Sequence, residues 1–452
     1  MKARLLNLVT PGAYWLRPAA TWLFLLPFLT AGVILDSAKI QAAGLLLLAI
    51  GYLVSSRPRF PRRAAARICL AAAVLLLIVC AYLVFGSWPS SYGSASSYDK
   101  NAVLFVVTYA DVAVFAALFF EARLFERVIW RGATAALWIG VLSWLASRLT
   151  HHLILVSTSH GAIRMQGTLS EPSAWAPVIP LVVLLAVRRR SWLSLGLALV
   201  ATCLTASPTC LIVLVASVLL YYALTGTRRQ RRAIVITLGV LVPASAAFVL
   251  TATPAQYLNS HNTPEKAIGR LLAGIQNIDT DGQQGHNTRW ASTRVTMADT
   301  ADNGWLLTGA GPAADVTYFA LRYPATAGPQ PYQPNALWVA VLFDFGLTGV
   351  AVLAVLMLTA AWRMRKDPGL CAVLLPFSVS AVVNSAEGSF AYSFVALGIL
   401  LFTFRWTGAV SGPGDRDRTA ELPPLALITP STTVARDPGA RLRDLRRLHQ
   451  DQ

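Results

Sequence analysis

The stretch Pro172-Ser-Ala-Trp-Ala-Pro-Val-Ile-Pro-Leu-Val-Val-Leu-Leu-Ala-Val187-Arg-Arg-Arg190 decides the fold class. An uncharged apolar run of this kind reads as a membrane-spanning helix, and the arginines closing it read as its cytoplasmic end. Similar runs recur at about 20–36, 40–54, 66–86, 102–120, 133–149, 192–206, 209–225, 233–252, 335–360, 370–384 and 389–404, which with 172–187 makes about twelve crossings. Composition agrees: 55% of residues are apolar and 13% charged, and the mean hydropathy is +0.55. The expected fold is therefore all-α, a polytopic transmembrane helical bundle with one large extracytoplasmic loop. A soluble chain of this length would divide into several domains; here the bilayer replaces the water-excluding core.

Charge sets the orientation. The net charge of +17 does not point to nucleic acid, because the basic residues flank alternate apolar runs. With a cytoplasmic N-terminus, the clusters Arg57/Arg59/Arg62/Arg63, Arg123/Arg127/Arg131, Arg188–Arg190, Arg228/Arg229/Arg231/Arg232 and Arg363/Arg365/Lys366 all fall inside. Runs 192–206 and 209–225 are short and joined at Ser207-Pro208, so they read either as two thin helices or as a re-entrant hairpin. The five cysteines sit inside apolar runs, which argues against a disulfide framework or a thiolate metal site.

The expected organisation is nine spans over 1–252, an extracytoplasmic loop over 253–334, three spans over 335–404 and a cytoplasmic disordered tail over 405–452. Within the loop, Thr288–Ala301 reads as a short helix capped by Asn287 or Thr288 and stopped by Asp302-Asn303-Gly304.

Three polar patches fall on the outer side. The first is Arg164-x-x-Gly167-x-x-x-Glu171-Pro172-Ser173. A guanidinium facing a wet cleft is well shaped to hold phosphate, and Pro172 suits a helix's first turn. In the competing reading, Glu171 only caps that helix and Arg164 reaches lipid phosphates. The second patch runs from Asn287-Thr288-Arg289-Trp290 through Arg294 to Gly309-Ala310-Gly311. Its glycines let backbone N–H groups turn toward an anion, or let the chain pack closely against a helix. The third, Asn335 through Asp344-Phe345-Gly346-Leu347-Thr348-Gly349, re-enters the membrane. Asn335 is either a helix cap or a substrate contact. Asp344 faces the protein interior, where it serves the site or only hydrogen-bonds a neighbouring helix. The other intramembrane acid, Asp111, reads as a partner to a neighbouring helix.

In this order the patches resemble the O-antigen ligase and polymerase superfamily of bacterial membrane proteins. That family shows Arg-x-x-Gly leading into Glu-Pro-Ser, a large loop with an arginine helix and a Gly-x-Gly turn, and an Asn-led span with an acid before Gly-Leu-x-Gly. The resemblance covers roughly residues 100–405. It implies a lipid-dependent, metal-independent glycosyltransferase without a cofactor, one that moves a glycan from an undecaprenyl-pyrophosphate carrier to an acceptor hydroxyl outside the cytoplasmic membrane. The partners it implies are the lipid-linked oligosaccharide, an acceptor glycan or lipid, membrane lipids and a chain-length regulator.

Under that resemblance Arg164 and Arg289 stabilise the departing pyrophosphate, and Glu171 accepts the acceptor's proton. Gly167, Arg294, Gly309, Gly311, Asn335 and Asp344 contact substrate. The family's histidine before the Asn is here Pro334, so either Glu171 or His286 takes the role of base or the activity has changed. A composition rich in Ala and Arg suggests a GC-rich genome, which weighs toward a polymerase of exopolysaccharide or cell-wall glycan over a ligase. The rival classes are a lipid-linked oligosaccharide flippase and a noncatalytic assembly protein. Charges near mid-bilayer would favour the flippase.

Overall fold

In the computed structural model the apolar runs are helices whose ends follow local chemistry. The structure describes residues 16–30, 37–56, 77, 106–159, 162–169, 171–205, 207–253, 256–257, 265, 269, 272, 288–315, 318–319, 336–383 and 388–403. The helices are α1 (Leu16–Thr30), α2 (Ser37–Ser56), α3 (Val106–Phe119), α4 (Ala122–Thr150), α5 (Val178–Arg189), α6 (Trp192–Thr205), α7 (Pro208–Thr225), α8 (Arg228–Thr251), α9 (Thr288–Asp302), α10 (Leu337–Met364), α11 (Pro368–Val383) and α12 (Gly388–Gly398). The last turns of α3 and the continuation of α12 over Ile399–Thr403 are π-helical. Between α4 and α5 lies an antiparallel hairpin, β1 (Val156–Ser159) and β2 (Ala162–Met165). The chain divides into two units, Met1–Gly408 and Ala409–Gln452; the second, with the expected tail, lies outside the described residues. The expected run at 66–86 lies outside them too, apart from Leu77.

Several helices differ from the apolar runs in length, for physical reasons. α8 starts five residues before its run because Thr227 and Gln230 form a reciprocal capping box. α4 extends back to Ala122, as nothing in Arg123–Arg131 interrupts a helix. Pro172 does open a helical turn, but Pro172–Trp175 is 3-10 and α5 proper begins at Val178. Pro177 has no N–H to offer the Ser173 carbonyl, so Ala176 takes it with a tighter bond of 3.0 Å.

Among the described residues, four helices are long and apolar enough to cross a membrane: Ala122–Thr150, Pro172–Arg189, Pro208–Thr225 and Leu337–Met364. Six more apolar helices are shorter. The second of the four is the central one, largely buried where the other three are mostly uncovered by protein. α5 packs on α4, α6, α7 and α11, so it is covered by protein where the others present Leu and Val outward. Lipid tails are as apolar as leucine, so helix association here depends on close packing. An aromatic layer supplies it: Phe24 stacks on Phe115 at 4.2 Å and Phe377 on Phe394 at 3.7 Å, with Phe28 edge-on to Phe377 and Phe394. This layer joins α1, α3, α11 and α12.

Polar contacts define the two ends of the bundle. At one end Arg17 pairs with Glu121 at 3.4 Å and Arg189 with Glu126 at 3.1 Å. Arg188 donates to the Tyr221 hydroxyl, and Arg363 to the carbonyls of Phe402 and Thr403. The starts of α1, α4 and α11 therefore share an end with the finishes of α5, α7, α10 and the segment after α12. The hairpin, the finish of α6 and the start of α10 belong to the opposite end. The charge-rich termini segregate as the sequence pattern expects.

Candidate functional site

The site is built at that second end from two assemblies. The first is the hairpin that carries Arg164. Ser157 lies opposite Arg164 across the strand pair. Two indoles hold the hairpin to the helices: Trp144 Nε1 donates to the Ile163 carbonyl at 3.1 Å and the buried Trp175 donates through Nε1 to the Gln166 carbonyl at 2.8 Å. Gly167 follows at φ +63°, and its N–H bonds the Leu155 carbonyl. A Cβ at Gly167 would come within 2.8 Å of the Gly140 Cα. The two glycines thus let the chain settle directly on α4.

Arg164 reaches across to α6, where its Nε donates to the Thr205 carbonyl at 2.9 Å. Thr205 is the last residue of α6, where the helix dipole favours a cation. Six residues past the hairpin's end, the Glu171 carboxylate accepts the buried Ser173 hydroxyl. Glu171 stands at the N-cap position of the 3-10 turn it precedes, without a side-chain capping bond to that turn. Cys210 Sγ of α7 meets the Pro172 carbonyl at 3.5 Å. Both ends of segment 164–172 are thereby tied to the corner between α6 and α7. That corner is the Ser207-Pro208 joint, and two separate helices meet there.

The second assembly joins the arginine helix to α10. α9 spans Thr288–Asp302 and ends at Gly304, φ +73°, as its terminator sequence predicts. It packs against α10, and Val295 touches a buried cluster of Trp305, Ala310, Ala314, Tyr318, Phe319 and Phe343. The Trp305 and Tyr318 rings meet Phe343 at 5.4 and 5.1 Å. Arg289 and Arg294 lie on α9, but their side chains are outside the described structure, as are Pro334, Asn335 and His286 altogether.

α10 is broken at Gly346, φ 65° and ψ −168°. A continuous helix would bond the N–H groups of Leu347 and Thr348 to the carbonyls of Phe343 and Asp344. The segment after α9 takes over all four groups. Ala310 and Gly311 donate to the Phe343 and Asp344 carbonyls at 2.8 Å each, while Leu347 and Thr348 donate to Leu306 and Leu307 at 2.8 and 3.5 Å. Of the two roles open to Gly309 and Gly311, the structure displays close packing. A Cβ on Gly309 would fall 2.2 Å from the Asp344 carbonyl oxygen, and one on Gly346 2.3 Å from Leu307. The Asp344 side chain faces the interior, 6% exposed. Its two oxygens accept the N–H groups of Ala313 at 2.9 Å and Asp315 at 3.0 Å. Tyr109 of α3 lies within electrostatic reach of both Asp344 and Asp315, a neighbour that sequence periodicity does not reveal.

Among the described residues no group of three or more His, Cys, Asp or Glu is arranged to hold a metal ion. The arrangement is that of a helical membrane protein with a polar, arginine-bearing assembly at one end. Residues 193–354 match the family model described as O-antigen ligase. The match supports the O-antigen ligase and polymerase superfamily, and with it a glycosyltransferase-like activity in surface polysaccharide assembly at the family level. It takes in α9, the docked segment and the break in α10, while the Arg164 hairpin precedes it. No curated protein matches the chain.

Proposed function

We propose that the protein transfers a glycan from an undecaprenyl-pyrophosphate carrier to an acceptor hydroxyl at the outer face of the cytoplasmic membrane, as a polymerase or ligase of surface polysaccharide. The observation that carries this reading is the O-antigen ligase match over the arginine helix and its docking on α10. The acceptor oxygen forms a bond to the anomeric carbon as the bond from that carbon to the pyrophosphate oxygen breaks. The pyrophosphate leaves with the electron pair, and the acceptor's proton passes to a carboxylate. Developing negative charge is the main demand of this step, and fixed cations meet it best.

Arg164 and Arg289 stabilise the pyrophosphate, and Glu171 is the base, close enough to the hairpin corner to meet an acceptor there. Gly167, Arg294, Gly309, Gly311 and Asn335 shape or line the site. The test is Arg164→Ala in cells that make the polymer, with glycan sized on gels and carrier-linked oligosaccharide located. Loss of polymer with carrier-linked units building up outside supports the transfer. Accumulation inside would mean a flippase, and polymer of normal length and yield would reject the role of Arg164.

A further inference from the structure

A helix broken inside an apolar span leaves two N–H and two C=O groups that hydrocarbon cannot satisfy. In α10 the partners for all four come from one short segment, 306–311, which lies directly after α9. The fit admits no slack: the positions closest to the crossing are Gly309 and Gly346, and neither has room for a Cβ. Beside the crossing, the Asp344 carboxylate is buried and takes two backbone N–H groups just beyond that segment, at Ala313 and Asp315. Thr348 Oγ1 adds a bond to the Leu307 carbonyl at 3.0 Å. Each oxygen of this carboxylate is thus held by a backbone N–H of the outer segment. The break and the docked segment therefore depend on each other, and through segment 306–311 the helix α9, with Arg289 and Arg294, is fixed to α10.

We propose that Asp344 is a positioning residue: with the Gly309–Gly346 interlock it latches the outer segment to α10 and so places the arginines of α9 for glycan transfer. This rests on the transfer reading above. Misplacing a group near the chemistry by about 1 Å costs on the order of a hundredfold in rate, so Asp344→Asn is expected to lower polymer output by about that factor.

The decisive readout is rescue. Leu306 and Leu347 are backbone-bonded neighbours across the crossing and both are exposed. Leu306→Cys with Leu347→Cys, in a chain whose own five cysteines are replaced by serine, provides a covalent latch. Under a mild oxidant the Asp344→Asn chain carrying this pair is expected to regain most of its output, and a reductant to remove it again. Crosslinked chains that stay inactive would mean Asp344 acts by touching substrate, which overturns the proposal. Undiminished output in Asp344→Asn, or failure of the pair to crosslink, would overturn it too.

Should Asp344→Asn not reach the membrane, Thr348→Val takes its place, with a severalfold drop and the same rescue expected; full output there overturns the latch. Arg289→Ala separates the two readings. If it leaves output intact while the rescue works, the latch stands and the assigned role of Arg289 falls.

Discussion

Arg164 uses its guanidinium in a way that no other side chain can copy. One donor, Nε, is committed to the Thr205 carbonyl at the end of α6. Arginine carries five donors in a rigid plane, so fixing one edge orients the rest. Lysine concentrates its three donors at a single tip, so binding the same carbonyl would draw away the group that the proposed role turns toward phosphate. Arg164→Lys is therefore expected to fail as completely as Arg164→Ala, with polymer lost and protein still inserted, which glycan gels and membrane immunoblots will read. A lysine variant with more than about a tenth of parental output, a gap of roughly 1.4 kcal/mol in the barrier, would show that point charge suffices. Gly346 makes a matching case for backbone. Its φ of 65° is strained for any residue with a side chain, at about 1–3 kcal/mol, and an added Cβ would also displace Leu307. Gly346→Ala is expected to lower the thermal midpoint and expose α9 to trypsin, with cleavage after Arg289 or Arg294 as the readout.

The hairpin is the element that sets Arg164, and it depends on a neighbour's lack of side chain. Gly167→Ala would push a methyl to 2.8 Å from the Gly140 backbone. The hairpin is then expected to lift from α4, breaking the bonds from Trp144 and Trp175 and costing polymer output as Arg164 leaves Thr205. Trp fluorescence shifted to longer wavelength in Gly167→Ala would report that lift, and an unchanged spectrum would count against it. None of this element is legible in the sequence. Val156–Ser159 and Ala162–Met165 are four-residue strands with no alternating pattern, and they exist because indoles and a glycine pair hold them. The helices are legible because their signals are local: an uncharged run, the Thr227–Gln230 cap, the Asp302-Asn303-Gly304 stop. The break at Gly346 lies between these cases. Asp344-Phe-Gly346 is visible as a motif, but its meaning depends on segment 306–311, some forty positions earlier, and separation of that kind erases any periodic trace.

At the scale of the whole molecule, charge and contact lead to the same two-ended arrangement by independent routes. The sequence assigns Arg123/Arg127/Arg131, Arg188–Arg190, Arg228/Arg229/Arg231/Arg232 and Arg363/Arg365/Lys366 to one side by counting basic residues. In the structure, bonds between Arg189 and Glu126, Arg188 and Tyr221, and Arg363 and the Phe402 carbonyl bring the same helix ends together. The hairpin and the arginine helix are left to the other face, which the proposed transfer requires to be the outer one. Labelling tests this directly. In a chain whose five cysteines are serine, single cysteines replace Leu153 or Met297 on one side and Arg190 or Arg229 on the other. Leu153 and Met297 are 61% and 45% exposed, so a thiol at either is open to reagent. An impermeant maleimide added to intact cells is expected to mark Leu153→Cys and Met297→Cys, and to mark Arg190→Cys and Arg229→Cys only after permeabilisation. The reverse pattern would turn the arginine helix toward the cytoplasm, away from the outer face at which the transfer is proposed, and the proposed reaction would lose its site.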